Sequence, residues 1–242
     1  MVTRPETFDA LTTTRRTLHG IAEHILAGYE RSVNDWIHLS VTDTGLRTQR
    51  VPGDPEMLEL KVDPSGTATL VRHPDGRAVP VRGRLGDLAA DLGVGFGLPN
   101  PPYPPASGCD ADHEAVLDAA ALEILVRSWR DGDTALRRFA AAHGGARAPE
   151  PVVWPEHFDV GITIDDVNYG VSPGDEHIDE PYAYVGPPRP CTGPFWNKPF
   201  GAARPLTQLP DAEAVLVFFE RGREELGLGD TRSGRSATDP PG

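Results

Sequence analysis

The sequence predicts an α+β fold: a mostly antiparallel sheet, made of an N-terminal meander plus C-terminal strands, packed by two long helices and a C-terminal helix. Three observations predict it. Apolar residues recur at three- and four-residue spacing in Thr7–Tyr29, Asp110–His143 and Asp211–Leu226, the period of a helix with one buried stripe. Period-two runs broken by turn residues fill Asn34–Val81 and return in Phe158–Ile164 and Pro181–Val185, the pattern of half-buried strands. No internal repeat is present, so sheet and helices share one core.

In chain order, Phe8, Leu11, Leu18, Ile21, Ile25 and Tyr29 form the stripe of the first helix. Asn34–Arg50 is a hairpin candidate that alternates through Trp36-Ile37-His38-Leu39 and turns at Thr44-Gly45. Pro64-Ser65-Gly66 and Pro74-Asp75-Gly76 divide Met57–Val81 into three short strands. Leu85–Leu92 reads as a short helix. Leu98–Cys109 holds five prolines and reads as an extended connector. The second long helix is expected from Asp110 or Asp112 as N-cap to Gly144-Gly145, with a break at Gly132. The expected organisation is one domain over residues 1–226, with the Pro-rich connector at 98–109 and a disordered tail at 227–242, where apolar residues are scarce.

Composition narrows function. A net charge of −13 excludes nucleic acid and anionic membrane as partners, since both require compensating cations. No run approaches the roughly 20 apolar residues that span a bilayer. The N-terminus lacks an apolar signal core, so a cytoplasmic location is expected, with Cys109 and Cys191 as free thiols. Arginine outnumbers lysine 21 to two, which we read as the mark of a high-GC coding genome.

The stretch most suited to chemistry is Trp154–Gly201. From Trp154 to Pro188 it holds eight acids and no lysine or arginine. Such a cluster binds a cation, raises some carboxylate pKa values, or simply points into water. Large aromatics interleave with the acids, as in a pocket wall. Alternation on the strand after Phe158 puts His157 and Asp159 together on the face opposite Phe158, Val160, Ile162 and Ile164. That pair suits a base and its orienting carboxylate, or two metal ligands; the plainer reading is that Asp159 only accepts hydrogen bonds from a turn. Ser172-Pro173-Gly174-Asp175 is turn chemistry. Glu180, held extended before Pro181, points in a fixed direction. Phe195-Trp196-Asn197 closes a pocket or caps the core. On the first helix His19 and Glu23 stand at i and i+4, a spacing that ligates a divalent metal if His157, Asp159 or His38 converge on it. GVGFG (Gly93–Gly97) follows a helix, so it is not a dinucleotide fingerprint.

Five segments carry a resemblance: TRRTLHGIAEHILA (Thr14–Ala27), WPEHFDVGI (Trp154–Ile162), NYGVSPGDEH (Asn168–His177), EPYAYVGP (Glu180–Pro187) and FWNKPFGAA (Phe195–Ala203). They resemble the signature blocks of an uncharacterised bacterial family, mostly from high-GC Gram-positive bacteria and known only as a domain of unknown function. The resemblance implies one domain with the element order above and supplies no reaction or cofactor. It concentrates attention on His19, His157, Asp159, Asn168, Tyr169, Glu180, Tyr182, Trp196 and Asn197. The aromatic usual after VGP is replaced here by Pro187-Pro188.

The functional expectation is a pocket for a small polar or cationic ligand, with or without catalysis. His157 and Asp159 are its candidate catalytic pair, and Trp36, Asn168, Tyr169, Glu180, Tyr182, Trp196 and Asn197 its candidate ligand contacts. The alternatives are a metal-dependent hydrolase using His19 and Glu23, and a non-catalytic interaction domain docking through Leu98–Cys109 and the tail.

Overall fold

The computed structural model of the chain describes residues 5–49 and 55–228, so the expected tail lies outside the described residues from 229 onward. The chain opens with helix α1 (Pro5–Ile21), a π-helical turn (Ala22–Leu26) and α2 (Ala27–Asn34). The stripe Leu11, Leu18, Ile21, Ile25 and Tyr29 is buried, as its spacing requires. Strands β1 (Leu39–Thr42), β2 (Gly45–Thr48), β3 (Met57–Val62), β4 (Ala68–His73) and β5 (Arg77–Pro80) then form the meander, each paired antiparallel with the next. A two-residue strand β6 (Gly83–Arg84) leads into α3 (Leu85–Leu92) and pairs with β7 (Glu114–Ala115). Helix α4 (Ala119–His143) follows, then β8 (Val152–Trp154), β9 (Asp159–Ile164), β10 (Val167–Ser172), β11 (Tyr182–Gly186), β12 (Ala202–Pro205) and α5 (Ala212–Glu225).

The meander and the C-terminal strands join edge to edge into one ten-stranded antiparallel sheet, ordered β12-β11-β10-β9-β8-β1-β2-β3-β4-β5. The seam is the pairing of β8 with β1, at Leu39 and Val153. Helix α4 packs on β9, β10 and β1–β3, while α1 and α5 pack beside it, α5 also covering β11. Val160, Ile162, Ile164, Val167, Tyr169, Val171, Ala183 and Val185 face this helical layer and are buried. Among the described residues no helix is long and apolar enough to cross a membrane.

Two details of α4 differ from expectation. It begins at Asp118, not at Asp110 or Asp112. The Asp118 carboxylate accepts the Ala121 N–H at 2.9 Å, and the Asp118 N–H donates to Thr14 Oγ1 at 2.9 Å. Residues 114–115 are meanwhile held extended by β6. Nor does α4 break at Gly132. A Cβ there would stand 2.8 Å from the Val171 Cβ and 3.0 Å from a Val160 methyl carbon, so this glycine lets the sheet approach the helix without interrupting it.

Candidate functional site

A cleft of about 1150 Å³ opens at the end of the sheet where β9 begins and β10 ends. Its floor is one face of α1, from Thr12 through Arg15 and Arg16 to His19. The Pro-rich segment gives one wall, through Tyr103 and Ser107; the other walls are the turn at 156–158 and the loop at 174–179.

Helix α1 holds each wall by a bond from side chain to backbone. Arg15 donates to the carbonyls of Asp179 at 3.3 Å and Pro173 at 3.5 Å. Arg16 donates to Gly108 O at 2.6 Å. His19 Nε2 donates to Pro155 O at 2.7 Å. Glu23, 0% exposed, accepts the N–H groups of Ala106 at 2.8 Å and Ser107 at 3.0 Å. Burial alone would push the Glu23 carboxyl up, but the hydrogen bonds from Ser107 and Ala106 together outweigh it and hold the pKa below the usual range. The Pro-rich connector, extended as expected, is a strap fastened at residues 106–108 to the chain's own first helical region. The π-helical turn, with its one-residue shift of register, brings both Glu23 and His24 to the buried side.

The strand-face argument for His157 and Asp159 fails on backbone grounds. Strand β9 starts at Asp159, and residues before it form a turn closed by Phe158 N–H to Trp154 O at 2.6 Å. Phe158 adopts a left-handed φ of 57°, which breaks the alternation. Its ring is nonetheless buried, stacked parallel on His19 at 4.9 Å and edge-on to Trp129 at 5.0 Å. The His157 side chain is exposed in the cleft mouth beside Glu156 at 3.3 Å. Asp159 is buried on the sheet face opposite the helices, and its Oδ2 takes a short hydrogen bond from the Tyr184 hydroxyl. The Tyr184 ring reaches it by lying flat over Gly170 and Gly161; a Cβ on Gly170 would come within 2.5 Å of that ring. Burial pushes the Asp159 carboxyl up against the opposing pull of the Tyr184 hydrogen bond. The expected base and orienter are thus separated, one in solvent and one sealed.

The other expected contacts divide. Tyr182 is buried and supports the cleft, its hydroxyl donating to Asp175 Oδ2 at 2.5 Å. Asp175 also accepts the His177 and Ile178 N–H groups at 2.7 and 3.0 Å, ordering the 174–179 loop. Tyr169 is a core residue on the helical face, 4.4 Å from the Phe139 ring, and is outside the lining of this cleft. Trp36 is 59% exposed, edge-on to His38 and outside the cleft lining. Asn168 accepts the Thr163 hydroxyl on the exposed sheet face. Glu180 accepts the Thr207 hydroxyl at 3.0 Å beside a separate, smaller depression. Trp196 packs edge-on to Phe195. Asn197 pins β12 through both backbone groups of Ala203, while Phe195 lines a separate depression with Val217 and Phe218.

The metal reading of His19 and Glu23 is corrected as well. Both Glu23 oxygens and His19 Nε2 are taken by backbone groups. Among the described residues no three or more His, Cys, Asp or Glu are grouped to hold a metal ion. Ser107, His24 and Glu23 resemble a nucleophile set in composition only. Ser107 Oγ at 3.2 Å and Glu23 Oε2 at 3.3 Å both approach His24 Nε2, while His24 Nδ1 has no partner among the described residues; a triad needs the acid on the opposite ring nitrogen. Cys109 is free and buried, and burial pushes its thiol up, away from the reactive thiolate.

Sequence reasoning missed Arg15, Arg16, Tyr103 and Ser107. The signal for the first two was present: Thr12, Arg15, Arg16, His19 and Glu23 share one helical face. No family model, curated protein or solved structure matches the chain.

Proposed function

We propose that this cleft is a binding site for a small polar molecule carrying a positive charge. The observation that carries the reading is the charge balance of the lining. Glu156, Asp175, Glu176 and Asp179 line it against Arg15 and Arg16, and those two guanidiniums already bond backbone carbonyls. The surplus of negative charge favours a cation, and Tyr103 and Phe158 offer it apolar walls. Three of the blocks that resemble the bacterial family supply lining residues: Thr14–Ala27, Trp154–Ile162 and Asn168–His177.

A thermal-shift panel of small mono- and diamines against small dicarboxylates tests the idea. Amines should stabilise the protein and dicarboxylates should not. Calorimetric titration of the double variant Glu176→Gln, Asp179→Asn should show amine affinity lower by roughly two- to thirtyfold, from two exposed charges. Both side chains are at the surface, so the fold should survive. Dicarboxylates binding as well as amines, or an unchanged amine affinity in the double variant, would reject the reading.

A further inference from the structure

His19 is the cleft residue whose chemistry the fold specifies most completely. A carbonyl can only accept, so the 2.7 Å contact with Pro155 O places the ring proton on Nε2 and leaves the lone pair on Nδ1. Three constraints fix the ring. The Pro155 carbonyl belongs to the turn closed by Phe158 N–H to Trp154 O. The Phe158 ring lies parallel to the imidazole, with an interplanar angle of 1°. Phe158 is itself held against Trp129 in a left-handed backbone conformation that non-glycine residues adopt at a cost. Nδ1 takes no hydrogen bond from any described residue, yet it is not among the buried polar atoms left without a partner. It therefore keeps solvent contact on a side chain that lines the cleft. Burial, the largest influence, also lowers the His19 pKa and keeps the ring neutral. The other two cleft histidines offer nothing comparable: His157 and His177 are exposed beside their neighbouring glutamates.

We infer that His19 Nδ1 is the hydrogen-bond acceptor for an N–H of the bound cation, so that the cleft selects primary and secondary amines over quaternary ammonium compounds. The inference rests on the cleft reading above and deepens it. The exposed carboxylates attract an amine and its quaternary analogue alike by charge, and the N–H bonds they can also accept from the amine compete with water. Nδ1 responds only to an N–H, which the quaternary compound lacks.

The probes are 2-phenylethylamine and its N,N,N-trimethyl analogue, titrated calorimetrically into the full chain. The amine should bind more tightly by roughly ten- to a hundredfold, the worth of one hydrogen bond to a charged group. His19→Gln keeps an N–H donor for Pro155 O and removes the Nδ1 lone pair. It should remove most of the amine's advantage over the trimethyl compound and leave the latter's affinity unchanged. Equal binding of the two probes to wild type, or equal weakening of both in His19→Gln, overturns the His19 assignment while the cleft reading stands. Failure of both probes to bind overturns the cleft reading and this assignment with it. A ligand-free measurement stands beside these: two-bond ¹H–¹⁵N correlation spectra of wild type should show His19 as the Nε2–H tautomer. An Nδ1–H tautomer overturns the assignment whatever the variants do.

Discussion

Replacing Glu23 by Gln should loosen the strap before it loosens the rest of the molecule. The Glu23 carboxylate accepts two backbone N–H groups, from Ala106 at 2.8 Å and Ser107 at 3.0 Å, and is wholly buried, so solvent does not screen these bonds. Glutamine preserves the shape but keeps one acceptor, and its amide N–H₂ then faces a second donor. One charge-assisted hydrogen bond is lost and one strap N–H is left unsatisfied, at a cost of about 1.5–3 kcal/mol. For a chain of this size that corresponds to a melting temperature lower by roughly 3–12 °C. Glu23→Ala removes both bonds and should cost about twice as much. The sharper readout is amide hydrogen exchange: Ala106 and Ser107 should lose protection in Glu23→Gln, while amides within α4 such as Leu125 keep theirs relative to global stability. The lowered pKa adds a pH signature. A carboxyl depressed on folding contributes stability above its unfolded pKa of about 4.3 and loses it as pH falls through its folded value. The gap between wild type and Glu23→Gln should therefore close in acid. Unchanged protection at Ala106 and Ser107, or a gap that widens in acid, would refute the argument.

Two further substitutions probe the sealed side of the sheet. Gly170→Ala drives a methyl into the Tyr184 ring and should cost about 1–3 kcal/mol by overpacking, measured by urea denaturation; a neutral result would mean that the ring does not lie over Gly170. Asp159→Asn should raise stability near neutral pH, because burial opposes ionisation of Asp159. A carboxyl raised on folding loses stability as pH climbs from its unfolded toward its folded pKa. The advantage of the variant should thus fade toward acid in a series of melting temperatures against pH, and a pH-independent difference would count against it.

Much of the fold was legible because its signals are local. The meander followed from turn signals such as Thr44-Gly45 and Pro74-Asp75-Gly76, and α5 from its stripe. What escaped depends on contacts between distant segments. Nothing near Asp118 in sequence reveals that Thr14 accepts its N–H and helps to fix where α4 starts. Period two placed His157 on a strand because the left-handed backbone of Phe158 has no signature in a residue type that normally avoids it. Tyr169 and Tyr182 look alike in sequence, both aromatic among acids, yet register sends one into the core and the other toward the cleft. The acidic, aromatic character of Trp154–Gly201 was readable, but the helix face that completes the cleft lies more than a hundred residues earlier.

That face sets the order in which the cleft can exist at all. Glu23 and Ser107 are 84 residues apart, Arg16 and Gly108 92, His19 and Pro155 136, and Arg15 and Asp179 164. On a ribosome the first helix is made long before any of these partners, and Arg15 has neither of its carbonyls to hold until the chain has reached Pro173 and then Asp179. Each closure spans a long loop and comes late in folding for that reason. Assembly of this cleft thus reports that the chain has been made and put in place through Asp179.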